Sequence, residues 1–191
     1  MTPELLRADD AVLLVIDIQE AFRDRVCDWD GLVARTRFLL DCAPVLGLPV
    51  MVTEQYPKGL GETAAELQEP LAGAEKLVKL EFSSACAPGF DDALRRLGRR
   101  QVIVCGIEAH VCVHQTVVDL VRRGNSVHLV CDAVSSRSAS NRELGIRRAL
   151  ADGAHASSAE MALFELMRVA GTPEFKQLSS LLKGLDAALA R

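Results

Sequence analysis

Three residues of this 191-residue chain carry chemistry by type and by place: Asp17, Lys79 and Cys112. Asp17 follows the apolar run Val12–Ile16, and Lys79 follows the short run Leu77-Val78. Cys112 lies just inside the helix expected after Gln101–Cys105. In an open parallel sheet, ligands bind beyond the carboxyl ends of the strands. A carboxylate, a lysine and a thiol at three strand ends can therefore meet in one pocket. Cys112 is then the nucleophile, Asp17 accepts its proton, and the Lys79 charge supports both ionised partners. Helix-start N–H groups and the Lys79 charge predict a Cys112 thiolate more reactive than the other five cysteines. Backbone N–H groups at the same helix start can hold an oxyanion.

Taken singly, each residue has a plainer reading: Asp17 as a helix cap, Lys79 as a solvated cation, Cys112 as a core thiol. Two rival functions also share them. One is thiol or redox chemistry at Cys112; the other is a catalytically silent binding protein. A redox cysteine needs neither Asp17 nor Lys79 and wants a resolving thiol nearby. A silent protein is free to lose one of the three, and none is lost.

The elements that must position these residues follow from periodicity. Val12–Ile16, Pro49–Val52, Gln101–Cys105 and Ser126–Cys131 are short, β-branched and almost wholly apolar, as strands covered on both faces should be. Leu77-Val78 and Gly153–Ala156 are two further short strands. Helices are expected over 32–46, 90–97, 109–123, 141–152 and 174–190, the last opened by Thr172 as cap with Pro173 at its first position. The alternation predicts an α/β fold: a three-layer sandwich of a mainly parallel, about six-stranded sheet with helices on both faces. No linker divides the chain, so a single domain is expected over 1–191. The least regular stretch is 53–73, and a long connection after a strand is often functional.

Composition narrows the function. Apolar residues at 49% and charged residues at 25% suit an ordinary globular chain and oppose disorder. A net charge of −4 argues against nucleic-acid binding. No apolar run approaches the roughly 20 residues that span a bilayer, and Met1–Asp10 lacks the pattern of a signal peptide. A cytoplasmic location is expected. That compartment, and a chain large enough for its own core, oppose disulfides among the six cysteines.

The stretches VLLVIDIQEAF (12–22), KLEFSSA (79–85), QVIVCGIEAHVCVHQTVVDL (101–120) and VCDAVSSR (130–137) resemble the isochorismatase-like, nicotinamidase-related cysteine hydrolases. VTEQYPKGLGET (52–63) is similar to the isochorismatase domain-containing subgroup. The resemblance covers roughly residues 10–170. It implies a catalytic triad of Asp17, Lys79 and Cys112 and a covalent intermediate on Cys112 during hydrolysis of a small amide-like (C–N) substrate. It further implies a non-proline cis peptide before Glu108, an oxyanion hole from the N–H groups of Glu108 and Cys112, and a homo-oligomer. Gln19, Phe22, Glu54 and Tyr56 are expected at the substrate, with Gln55 between the last two. Nicotinamidases carry metal-binding histidines after the second strand. Here that stretch reads Thr53-Glu54-Gln55-Tyr56-Pro57, with no histidine before His110, so no metal and no cofactor are expected. His110, Cys112 and His114 form no metal set either, because on a helix Cys112 points about 200° away from His110. His128 is read as a core or interface residue.

Overall fold

The computed structural model describes residues 4–190. The termini of the expected 1–191 domain, residues 1–3 and 191, lie outside the described residues. Six strands form one sheet: β1 Ala11–Ile16, β2 Val50–Gln55, β3 Glu75–Lys79, β4 Gln101–Ile107, β5 Ser126–Ser135 and β6 His155–Ser157. Their order is β3-β2-β1-β4-β5-β6, and every pairing is parallel. Among the described residues, eight α-helices accompany them: α1 Trp29–Leu46, α2 Pro57–Leu60, α3 Ala65–Gln68, α4 Phe90–Leu97, α5 His114–Arg122, α6 Ala139–Ala151, α7 Ala159–Met167 and α8 Pro173–Leu189.

The three-layer arrangement is written into β1. Its residues are all buried, and alternate side chains point to opposite faces. Ala11, Leu13 and Val15 pack with Leu32 and Leu40 of α1, Leu163 of α7 and Leu178 of α8. Val12, Leu14 and Ile16 pack with Phe90 of α4, Val117 and Leu120 of α5 and Ala149 of α6. A strand sandwiched this way has no polar face, which is why its sequence reads as a continuous apolar run.

The structure differs from the sequence expectation at several element ends, in one unexpected helix and in one helix start. β4 runs on to Ile107, and β5 continues past Cys131 to Ser135 through a register shift opposite Val104–Gly106. Arg142 of α6 spans that irregularity, donating to the Cys131 and Val134 carbonyls at 2.6 and 2.7 Å. Helix α7 went unread. Its cap is Ser158, whose hydroxyl accepts from the Met161 N–H, and only a short polar break separates it from β6. The Thr172 cap of α8 is present, accepting from the Phe175 N–H. The stretch 109–123 is not one helix. A π-helical turn over Ala109–Val113 precedes α5.

Candidate active site

The sheet reverses direction at β1, with β2 and β3 on one side and β4 to β6 on the other. That switch point opens a crevice at the carboxyl ends of β1 and β4. Register places the chemistry there. Ile16 pairs with Gly106, so Asp17 and Glu108 leave adjacent strand ends, while Gln55 pairs with Lys79. Gly106 is required at this closure. It has φ +123°, and a Cβ would sit 2.1 Å from the Ile16 carbonyl oxygen. Asp17 itself takes a left-handed backbone, φ +52°, which aspartate tolerates better than most residues.

Lys79 is 1% exposed and Asp17 2%. The Lys79 ammonium donates to Asp17 Oδ2 at 2.6 Å, to Gln55 Oε1 at 2.8 Å, and to the Glu81 and Phe82 carbonyls at 3.1 and 3.2 Å. The other Asp17 oxygen accepts from Thr53 Oγ1 at 2.7 Å. Burial raises the Asp17 pKa above the ordinary carboxylate value. The Lys79 charge and the hydrogen bonds from Lys79, Thr53 and Cys112 pull it back.

Cys112 lies in the π-helical turn, 8% exposed, with its thiol against Asp17. The structure corrects the expectation of a thiolate. Burial, reinforced by the Asp17 charge, pushes the Cys112 thiol up to about 12; Lys79 and the Glu108 N–H only partly offset this. Desolvation of an ion outweighs a partial helix dipole. The Asp17 carboxyl lies beside this neutral thiol, within reach of its proton. The Glu108 N–H faces the sulfur, and the Ile107–Glu108 peptide is cis.

The remaining residues divide. Gln19 is fully buried, and its side chain is committed to the chain after β2: Nε2 donates to the Gln55 and Gly61 carbonyls, and Oε1 accepts from the Gln55 N–H. Glu54 is buried too, accepting from the Thr63 N–H and hydroxyl and from Lys76. These two hold the connecting loop. Tyr56 is half-exposed and Phe22 half-buried. Sequence reasoning placed Thr53 at a strand end without a role and passed over Ser84, Thr116 and Arg137. Arg137 donates its N–H and Nε to the Glu108 carboxylate, both at 3.0 Å. A threonine four residues after Cys112 was the available signal for Thr116, since such hydroxyls bond back to the i−4 carbonyl.

His110 bonds to the Ser136 hydroxyl and His114 to Asp152. Among the described residues, no three His, Cys, Asp or Glu side chains gather to hold a metal. All six cysteines are free. No described helix is long and apolar enough to cross a membrane.

The chain is similar to known proteins over most of its length. It is 39% identical over 178 residues to the Secreted isochorismatase effector Isc1 of Phytophthora sojae, covering 91% of this chain and 84% of that one. It is 39% identical over 181 residues to Isochorismatase domain-containing protein 2 of Danio rerio, covering 93% and 89%. Among solved structures, one described as the MAR1 ribonuclease of Caenorhabditis elegans superposes with a TM-score of 0.89 at 38% identity, covering 94% and 92%. The isochorismatase domain model matches residues 11–161, a span that holds β1 to β6, Asp17, Lys79 and Cys112, and the chain belongs to the isochorismatase domain family.

Proposed function

We propose that this protein is a cysteine hydrolase of a small amide-like substrate, with Asp17, Lys79 and Cys112 as its catalytic residues. The observation that carries this reading is the convergence of the three side chains: Lys79 at 2.6 Å from Asp17, and Asp17 against the Cys112 thiol. Cys112 sulfur attacks the substrate carbonyl carbon as its proton passes to Asp17. The oxyanion that forms is held by the N–H groups of Glu108 and Cys112. The C–N bond then breaks, Asp17 returns the proton to the leaving amine, and an acyl thioester remains on Cys112. Water attacks the thioester, Asp17 takes its proton and gives it to sulfur, and the acid departs. An amine is a poor leaving group until protonated, so a base that stores the thiol proton suits a C–N bond.

The burial of Cys112, 8% exposed, and the net charge of −4 favour a small uncharged molecule over RNA, despite the nematode neighbour's name. Phe22 and Tyr56 are the side chains proposed at the substrate; Gln19 and Glu54 act behind them on the loop. Tyr56, Val78, Leu80 and Phe82 are exposed along and beside the edge strand β3. That apolar strip supports a homo-oligomer. Six free cysteines support a reducing, cytoplasmic setting.

The test is to incubate the protein with a panel of small primary amides, quench, and read intact mass. An acyl adduct mapping to the Cys112 peptide, absent in Cys112→Ala, is expected. Hydrolysis that persists in Cys112→Ala overturns the assignment.

A further inference from the structure

Asp17 and Cys112 belong to different strand ends, and a buried chain of hydroxyls runs between their supports. Thr53, Ser84 and Thr116 are each fully buried. Thr53 Oγ1 donates to Asp17 Oδ1 at 2.7 Å and lies 3.1 Å from Ser84 Oγ. The Ser84 N–H donates to Thr116 Oγ1 at 2.8 Å, and Thr116 Oγ1 donates to the Cys112 carbonyl at 2.6 Å.

Counting protons fixes the direction. A threonine hydroxyl has one proton. Thr53 gives its proton to Asp17, so Ser84 must be the donor in the Thr53–Ser84 contact. The chain therefore runs from Ser84 to Thr53 to Asp17. It is satisfied throughout when Asp17 is ionised. Reversing it, to accept a proton from a neutral Asp17, would leave the Ser84 hydroxyl without an acceptor among the described residues.

We propose that Ser84 is a positioning residue that holds Asp17 ready to accept the Cys112 proton, acting through the Thr53 hydroxyl, while Thr116 ties Ser84 to the backbone of the nucleophile. The inference rests on the proposed role of Asp17 as base. The device answers a specific difficulty. A carboxylate this deep tends to stay protonated, and a protonated Asp17 cannot receive the thiol proton. Lys79 supports one carboxylate oxygen, and the Ser84–Thr53 chain supports the other. Lys79 and Cys112 are the titratable groups that face Asp17.

The experiment is a carboxyl 13C NMR titration of protein labelled at aspartate, with the Asp17 signal assigned by its loss in Asp17→Asn. Thr53→Val keeps the side-chain shape and removes the donor. It should move the Asp17 midpoint upward by about one pH unit, a tenfold change in proton affinity. Ser84→Ala should move it in the same direction by less, and Thr53→Ser, which keeps the hydroxyl, should restore it. A packing role alone would change stability without moving the midpoint. A wild-type midpoint in folded Ser84→Ala and Thr53→Val overturns the proposal; should Thr53→Val not fold, an unmoved midpoint in Ser84→Ala does so by itself. The titration needs no substrate, so a flat result rejects the relay while the Cys112 adduct judges the hydrolase reading separately.

Discussion

Lys79 Nζ lies 2.6 Å from Asp17 Oδ2, with the two side chains 0% and 2% exposed. Such a pair is costly to break from one side, because the remaining charge is left dry. A solvated Lys79 would leave Lys79→Ala with wild-type turnover, and a lysine that only supports the ionised partners would leave it inactive but intact. The burial predicts a loss of about 3–5 kcal/mol of stability as well. Lys79→Met combined with Asp17→Asn should recover much of that stability in urea melts and none of the activity. A single Lys79→Ala variant with a wild-type melt would show that the pair is not buried in solution.

Cys112 should not be the first thiol to react with a general alkylating reagent. Cys86 is exposed, whereas Cys112 is buried and pushed up to about 12. Iodoacetamide near pH 7 should label Cys86 first and leave activity intact, and Cys112 labelling should keep accelerating as pH rises well above 8. Peptide mapping against time checks this. Early loss of activity in step with Cys112 labelling would mean a lowered thiol pKa.

The same burial links stability to alkali. Cys42, Cys105 and Cys112 all rise from 9.0 to about 12 in the fold. The unfolded chain releases these protons first, so the native state holds more protons between pH 9 and 12, and stability falls as pH climbs through that window. Urea midpoints at pH 8 and pH 10.5 should differ, and Cys42→Ala should reduce the slope.

A histidine sets the acid side. His128 is buried in β5, with the His155 ring centroid 5.0 Å away, and burial followed by the His155 charge lowers it from 6.5 to about 4. Glu165 and Glu4 oppose that shift. The unfolded chain binds this proton first, so stability is lost as pH falls from 6.5 towards 4. The loss is on the order of 3 kcal/mol at about 1.4 kcal/mol per unit. His128→Phe should flatten the melts across that range; an unchanged slope would assign the acid sensitivity elsewhere.

Gly145 of α6 packs on the turn that carries Cys112. A Cβ there would lie 2.6 Å from the Ala109 carbonyl carbon and oxygen and the His110 nitrogen. Gly145→Ala must therefore push the turn that carries Cys112. A displacement near 1 Å costs on the order of 10²-fold in rate. The expected result is a folded protein with that loss in kcat, read by steady-state kinetics beside circular dichroism.

The sheet and the three converging residues were legible because they rest on local signals. Continuous apolar runs mark doubly covered strands, and a residue just past such a run belongs to the site face. The rest was not legible because it depends on partners distant in sequence. The state of the Cys112 thiol is set by Asp17, ninety-five positions earlier, and by depth in the fold. Gln19 and Glu54 look like polar groups free at strand ends until the folded-back loop takes up their hydrogen bonds. Helix α7 was missed because its apolar residues follow β6 after a break of one residue, too little sequence to separate two periods. Ser84 and Thr116 meet only when α5 lies against the chain after β3.

The order of strands has a consequence during synthesis. β1 is made early and sits near the middle of the sheet, yet its partner β4 begins at Gln101. Until then an all-apolar strand has β2 on one side and an open edge on the other. Parallel pairings between distant segments form slowly and leave such edges available for wrong partners. A chain stalled before β4 would hold Asp17 and Lys79 without Cys112 and with a sticky flank, so the nascent protein should depend on holding factors up to residue 107 and become self-sufficient only beyond it.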